Sequence, residues 1–335
     1  MKVFVTGGTG FLGRHLIDEL LARDCEVTAL VRTFDRARSL PPAVRTLAGD
    51  VTQPSALRSG MRGAEVIFHL AAWTAIGVRP KDYPRLARIN VDGTRQVLEL
   101  AAELGGPLVV YTSALDVYGD TRGQLVGGRS LPRAAPPESE YARSKYRALV
   151  DVVALMQARG LPLIVICPGA IYGPGDLSNR GRLLQRYALN RLPVMLGGET
   201  AHSWTHVADV AAGHWLAATQ GRPGQTYFLA GPAHTYRELF AAAERATGLP
   251  APRVWLPGSL ARFLARLVAR VRPSLAERLR SVSGLTFLAG SDQAQRELGW
   301  QARSLDAGLP ETIRWYTQQD RQAREAARVP PPLEA

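Results

Sequence analysis

Continuous apolar runs rather than alternating ones mark the first half of this chain. Val3–Thr6, Glu26–Arg32, Arg45–Ala48, Glu65–Leu70, Pro107–Thr112 and Leu161–Cys167 are each four to seven residues long and largely apolar. Such runs are expected of strands covered on both faces, as in a parallel sheet. Between them the apolar period lengthens to that of a helix. Leu12, Leu16, Ile17, Leu20 and Leu21 line one side of a helix over Arg14–Ala22, a short helix is expected near Pro54–Gly60, and long ones over Tyr83–Glu103 and Ser139–Arg159. Thr33–Ala43 is an arginine-rich loop and Gly119–Pro137 a surface loop rich in Gly, Pro and Arg. Strands alternating with helices predict an α/β fold with a doubly wound parallel sheet over residues 1–168. After Pro168 the rhythm breaks at Gly173-Pro174-Gly175. The chain is expected to revisit the sheet at about 200–231, through a helix over His206–Thr219 and a strand over Thr226–Leu229. Residues 169–199 and 232–318 then form a smaller, mostly helical C-terminal lobe, and 319–335 a flexible tail. No internal repeat is visible.

Composition narrows the class. The chain has 335 residues, 46% of them hydrophobic, enough for a sizeable core. No apolar run approaches the roughly 18 residues of a membrane span, and no secretory leader is expected, because the chain enters a strand at once. Cys25 and Cys167 lie far apart without a CxxC spacing, so scattered core thiols, a reducing cytoplasm and no metal are expected. The formal net charge is +12, and of 41 basic residues only Lys2, Lys81 and Lys145 are lysines, leaving 38 arginines. These are spread along the chain without a dense basic patch or interleaved aromatics, which argues against a nucleic-acid partner. A small-molecule substrate is expected instead.

Chemistry concentrates in two stretches. In Lys2–Gly13 a short strand runs into Gly7-x-x-Gly10-x-x-Gly13 and then into an amphipathic helix. Strand, glycine turn and helix N-terminus together make a dinucleotide-phosphate site, with a positive dipole end and free N–H groups turned to the anion. Further on, Tyr141 and Lys145 are four residues apart on one helix face. An ammonium near a phenol favours the phenolate, making tyrosine a usable acid/base, and can also reach a cofactor ribose. A lysine kept in a chain that uses arginine almost everywhere points to a need for a compact charge.

With these features in order, the chain resembles the extended short-chain dehydrogenase/reductase superfamily, the NAD-dependent epimerase/dehydratase family. The matching stretches are TGGTGFLG (Thr6–Gly13), HLAA (His69–Ala72), NVDGT (Asn90–Thr94), YTSALDVYG (Tyr111–Gly119), YARSK (Tyr141–Lys145), PGAIYGPGD (Pro168–Asp176), HVADVA (His206–Ala211) and ELGW (Glu297–Trp300). The resemblance implies a Rossmann-type fold with NAD(P) at Gly7, Gly10, Phe11, Leu12 and Gly13. It also implies Tyr141 and Lys145 as the acid/base pair, Leu70, Ala71 and Ala72 along the nicotinamide ribose, and Pro168, Gly169 and Ile171 as a nicotinamide wall. Asp50 and Val51 resemble the pair that holds the adenine. One position departs: Ala114 stands where the family places a Ser or Thr hydroxyl beside the tyrosine, so Ser113 or Thr112 is the candidate replacement, and Ser113 is taken as the third catalytic residue. Asp116 stands where sugar dehydratases of the superfamily carry an acid/base carboxylate; a local hydrogen-bonding role is the alternative.

Arg32, at the end of the second strand, and Arg36 favour a 2′-phosphate and hence NADP over NAD, because an acid there would instead bind the ribose hydroxyl. PGAIYGPGD looks like the 3β-hydroxysteroid dehydrogenase and dihydroflavonol reductase branch. His202-Ser203 replaces the Arg-Asp pair of the sugar-nucleotide branch. The expected reaction is therefore interconversion of a secondary alcohol and a ketone on a fairly apolar substrate, with Trp73, Trp204 and Tyr172 as candidate pocket residues, or equally as core aromatics. The alternatives are a nucleotide-sugar epimerase or dehydratase with tightly held NAD, and a non-catalytic NADP-binding redox sensor. Leu260–Val271 carries Leu260, Phe263, Leu264, Leu267, Val268 and Val271 on one face and Arg262, Arg266 and Arg270 on another. Packing of this stripe on the lobe is expected, contact with an anionic membrane surface being the alternative. The helices bearing NVDGT and Tyr141–Lys145 are those through which many relatives dimerise, so a homodimer is expected.

Overall fold

The computed structural model describes residues 1–127, 137 and 139–326. Its main sheet is built from β1 (Lys2–Thr6), β2 (Glu26–Val31), β3 (Arg45–Ala48), β4 (Val66–His69), β5 (Leu108–Thr112) and β6 (Leu163–Pro168). The lobe then contributes β7 (Ala170–Tyr172), β8 (Val194–Leu196) and β9 (Ala201–His206), after which the chain returns to the sheet as β10 (Thr226–Leu229). All pairings in the seven-stranded sheet are parallel, in the order β10-β6-β5-β4-β1-β2-β3. The order reverses between β1 and β4, and a Rossmann-type sheet opens its ligand crevice at that point.

Two apolar layers explain why the strands read as unbroken runs. Phe4, Ile67, Val109 and Val165 pack into the layer on one face, and Val5, Phe68, Val110 and Ile166 into the layer on the other. Fully burying one such side chain is worth about 1.5–3 kcal/mol. The helix over Phe11–Leu21 covers the second face together with the helix Val207–Gln220. On the first face lie two helical stretches, 83–103 and 140–158, each interrupted by a π turn, at Arg88–Asp92 and Ala148–Val153. The two π turns pack against each other, beside the helix that carries Tyr141 and Lys145.

The lobe is mostly helical, as expected, and also carries short strands. β7, β9, β11 (Ala233–Thr235) and β13 (Thr286–Phe287) form a small sheet, and β8 pairs with β12 (Val254–Leu256). Segment 292–300, placed in the lobe from sequence, packs instead on the main sheet, where Ala294, Leu298 and Trp300 join the second apolar layer. Of the expected surface loop 119–137, the stretch to residue 127 is tied to β13 through the Asp120 carboxylate and the Thr121 hydroxyl, while 128–136 lie outside the described residues. The expected tail is in part the end of the helix Leu305–Ala326.

The Leu260–Val271 stripe is the clearest departure. Helix Gly258–Val268 buries its small residues, Ala261 and Ala265, against helix Pro273–Arg280, whose Ala276 is also buried. Close packing through alanines turns the larger side chains outward: Phe263 is 57%, Leu267 62% and Val271 82% exposed. Among the described residues no helix is long and apolar enough to cross a membrane.

Candidate active site

A cleft of about 590 Å³ runs along the carboxyl ends of the strands, past the switch between β1 and β4. Its floor is the glycine turn. Gly7 has φ +79°, and a Cβ there would meet the Ala71 nitrogen at 2.7 Å, so the turn lies directly on the exit of β4. A Cβ on Gly13 would meet the Gly7 carbonyl oxygen at 2.2 Å, which fixes how tightly the helix sits on the turn. Gly10 caps the helix without a side chain, and no acid occupies the first turn. The first helical N–H groups therefore face the cleft without an internal partner, ready for an anion. These residues fit a dinucleotide pyrophosphate.

Every catalytic and cofactor residue expected from sequence lines this one cleft. Gly7, Gly10, Phe11, Leu12 and Gly13 form its floor, and Arg32, Arg36, Asp50 and Val51 one end. Leu70, Ala71 and Ala72 face Pro168, Gly169 and Ile171 across the middle, with Ser113, Tyr141 and Lys145 beyond them. Asp50 is held in place by Thr52, whose N–H and hydroxyl donate to its carboxylate at 3.0 and 2.8 Å.

Hydrogen-bond chains lock the strand ends around the reactive side chains. Thr94 donates to the Asn90 carbonyl at 2.8 Å, so His69 Nε2 must be the donor to Thr94 Oγ1, leaving Nδ1 to accept from Thr6. Burial, with the Lys145 charge adding to it, lowers the His69 pKa to about 3 and keeps it neutral. Asn90, fully buried on its π turn, accepts from the Trp73 N–H at 2.7 Å and donates to Ser144 Oγ at 2.8 Å and to the Trp73 carbonyl at 3.2 Å. Ser144 donates in turn to the Tyr141 carbonyl at 2.7 Å. One amide thus ties the loop after β4 to the helix of Tyr141.

Lys145 is 3% exposed; its ammonium donates to the Thr112 carbonyl at 2.7 Å and to the Tyr111 hydroxyl at 3.3 Å, and sits 4.6 Å from the Tyr111 ring centre. Burial lowers its pKa to about 7. Tyr141 differs from the expectation of a lysine-depressed phenol. Burial holds its pKa well above 10, the Asp116 carboxylate adds to this, and the cation that opposes them is Arg180. The Thr112 hydroxyl is committed to His214 at 2.8 Å, whereas Ser113 Oγ is buried with no hydrogen-bond partner among the described residues. Of the two candidate replacements for the hydroxyl missing at Ala114, Ser113 is the free one.

The substrate end is bounded by Trp73, Ile76, Ile89 and Ala114, with Arg85 stacked 5.4 Å from the centre of the Trp73 ring. Trp204 and Tyr172 are not part of it. Both are 1% exposed and pack into the lobe core, edge-on to each other. His202, standing where the sugar-nucleotide branch carries its Arg-Asp pair, is also withdrawn. It stacks on Phe287 at 5.2 Å and lies edge-on to Trp204 and Tyr236. Burial, helped by the Arg180 charge, holds it well below its ordinary pKa. A neutral, enclosed imidazole offers no anchor to a diphosphate. Arg180, which sequence reasoning missed, lines the cleft beside Tyr141 and pairs with Asp116 at 3.8 Å.

The profile of the NAD dependent epimerase/dehydratase family matches residues 3–230. The chain belongs to this family. As a member it is a dinucleotide-dependent enzyme acting on CH–OH groups. Among curated proteins, it is 30% identical over 327 residues to sterol demethylase protein B of Methylococcus capsulatus, covering 94% of this chain and 98% of that one. It is also 30% identical over 313 residues to a 4-hydroxy-2-methyl-3-oxo-4-farnesyl-3,4-dihydroquinoline-1-oxide ketoreductase of Stigmatella aurantiaca, covering 90% and 92% of the two chains. Among solved structures, gox2253 is similar with a TM-score of 0.84 and 28% identity, over 95% of this chain and 98% of that one.

Proposed function

We propose that this family member is an NADP(H)-dependent oxidoreductase interconverting a secondary alcohol and a ketone on a fairly apolar substrate. The observation that carries the reading is the single cleft in which the glycine turn, Tyr141 and a partly apolar substrate end meet, while His202 is enclosed by aromatic rings. Two similar proteins point the same way by name, a ketoreductase of a farnesylated substrate and a sterol demethylase protein. Arg32 and Arg36 at the far end supply two cations where a 2′-phosphate would sit, which supports NADP.

When bound, the nicotinamide supplies or takes up the hydride. Tyr141 moves the proton at the substrate oxygen, and Ser113 Oγ is the free hydroxyl placed to hold that oxygen. Lys145, near neutrality in pKa, keeps the end of β5 in place through Thr112 and, when protonated, adds a second cation to the site beside Arg180, which favours the phenolate. Ile171, Pro168 and Ala72 exclude water from the middle of the cleft.

Following nicotinamide absorbance with NADPH and NADH over a panel of apolar ketones and UDP-sugars tests the reading. Stoichiometric consumption of NADPH by a ketone is expected; UDP-sugar conversion with no net loss of nucleotide would establish the epimerase instead. Tyr141→Phe should lower kcat/KM by about 10²–10⁴-fold with NADPH binding retained. Unchanged turnover would refute the mechanism. Arg32→Ser should weaken NADPH about 10- to 100-fold and NADH little; equal effects on both would remove the NADP assignment.

A further inference from the structure

The substrate end of the cleft sets polar groups, Arg85, Asp176 and the pair Arg180 and Asp116 among them, beside the apolar Trp73, Ile76, Ile89 and Ala114. Arg180 and Asp116 face each other there at 3.8 Å, too long for a hydrogen bond, so neither side chain exhausts its polar atoms on the other. Their side chains keep 24% and 21% of their surface, and both line the cleft as well as a small adjoining cavity next to Phe287. The fold holds them firmly. Arg180 sits in the first turn of helix Asn179–Ala188, which is capped by Ser178. The Asp176 carboxylate accepts from the Ser178 N–H and hydroxyl at 2.8 and 3.0 Å, and the buried Tyr316 hydroxyl donates to the Asp176 carbonyl at 2.7 Å. Asp116 is fixed on the turn Leu115–Tyr118 directly after Ser113 and Ala114.

We propose that Arg180 and Asp116 form a donor–acceptor subsite for a second, uncharged oxygen function of the substrate, a hydroxyl or keto group close to the carbon that reacts at Tyr141. Arg180 donates to that oxygen, and Asp116 accepts from it when it is a hydroxyl. Charge balance selects against a carboxylate: the arginine's charge is matched by Asp116, and the Asp176 carboxyl lies close by, so an anion would meet repulsion from both acids. The pair also opposes itself at Tyr141, Arg180 favouring the phenolate and Asp116 the phenol. During reduction the carbonyl carbon gains a hydride from the reduced nicotinamide dinucleotide and its oxygen gains the Tyr141 proton, so C=O becomes H–C–OH; the second oxygen is unchanged. This inference rests on the reductase reading.

Benzoin and deoxybenzoin are suitable probes, being aryl ketones that differ only in a neighbouring hydroxyl; benzoylformate is a smaller aryl ketone with a carboxylate next to its carbonyl. NADPH consumption should give benzoin a kcat/KM about 10- to 100-fold above deoxybenzoin, with benzoylformate the poorest. In Arg180→Met the benzoin-to-deoxybenzoin ratio should collapse toward one, and Arg180→Lys should restore part of it. Circular dichroism and NADPH binding establish that each variant is folded. Quenching of tryptophan fluorescence, with Trp73 in the cleft, provides a second readout, and hydrobenzoin should bind the wild type more tightly than 1,2-diphenylethanol. Equal kcat/KM for benzoin and deoxybenzoin, or a ratio unmoved by Arg180→Met, overturns the subsite while the reductase reading stands. No ketone turnover with either nucleotide removes both.

Discussion

Asn90→Ala isolates the joint between the two halves of the active site. The amide is 0% exposed and makes three hydrogen bonds: 2.7 Å from the Trp73 N–H, 2.8 Å to Ser144 Oγ and 3.2 Å to the Trp73 carbonyl. Ser144 keeps its bond to the Tyr141 carbonyl, so its hydroxyl is not orphaned. Trp73 lines the cleft, and its two backbone bonds to Asn90 are only part-buried. The loss is then one well-buried contact and one partly solvated pair, about 2–4 kcal/mol at 1–3 kcal/mol for each buried group left without a partner. For a chain of 335 residues unfolding with about 2.1 cal/mol/K per residue, 3 kcal/mol lowers Tm by about 4 °C. Thermal unfolding followed by tryptophan fluorescence measures it.

The functional effect should be uneven. The glycine turn is untouched, so NADPH affinity should change little. The Trp73 loop and the Tyr141 helix lose their common anchor, so kcat should fall by at least tenfold. Asn90→Asp keeps the acceptor for the Trp73 N–H but loses both amide donors and sets a carboxylate in a buried site, so it should be no better than alanine. A Tm drop below about 1 °C, or equal losses in NADPH binding and kcat, would refute the joint.

Gly13→Ala should abolish dinucleotide binding in a protein that still folds, because the new Cβ would lie 2.2 Å from the Gly7 carbonyl oxygen; fluorescence titration with NADPH checks it. Stability should decline as pH falls. His69 and His214 are buried neutral, with pKa values of about 3 and 4, so below about 6.5 the unfolded chain takes up protons that the folded one refuses. The cost is about 1–2 kcal/mol for each by pH 5, and a Tm unchanged between pH 7 and 5 would contradict it. Finally, the protein should co-sediment with phosphatidylserine-containing vesicles and not with phosphatidylcholine alone. Phe263→Ser with Leu267→Ser and Val271→Ser should release it, and equal sedimentation of the variant would dismiss that face.

What the chain's pattern revealed, and what it hid, follows from where each structure-determining interaction lies. The main strands send apolar side chains of their own run into the layers on both faces, so their apolar content announces them. β7, β11 and β13 are two or three residues long and are specified by the partner they meet in space. The helical stretches 83–103 and 140–158 were visible from their spacing, but not their π turns, because a shift of hydrogen-bond register is decided by what the helix packs against. Trp204 and Tyr172 show how one residue of parity decides a role. Ala170 pairs with Trp204 and Tyr172 with His206, so Trp204 and Tyr172 share the face turned to the lobe core, while Ile171 between them points to the cleft. Phe263 and Leu267 read as core from sequence, because periodicity identifies a face without saying whether large or small residues meet the neighbour. The glycine turn was legible because its residues are contiguous. Arg180 was not: it lies 64 positions from Asp116, in one of many arginine-bearing segments, and only the packing of its helix against the turn after β5 brings it to the site.

The contrast between Lys145 and Arg180 gives a physical reason for the chain's unusual use of lysine. Arginine does not give up its proton in proteins, so wherever it is buried it needs a counter-charge. Arg180 has one in Asp116 and can stand as a permanent cation beside Tyr141. Among the described residues Lys145 has no carboxylate partner; it is enclosed by the Thr112 carbonyl and the Tyr111 ring, and burial brings its pKa to about 7. A guanidinium at the same place would be a fixed, uncompensated charge, whereas an ammonium can shed or regain its proton near neutral pH. The two cations of this cleft are therefore not interchangeable: one provides a constant field beside Tyr141, and the other a charge that can be gained or lost near neutral pH.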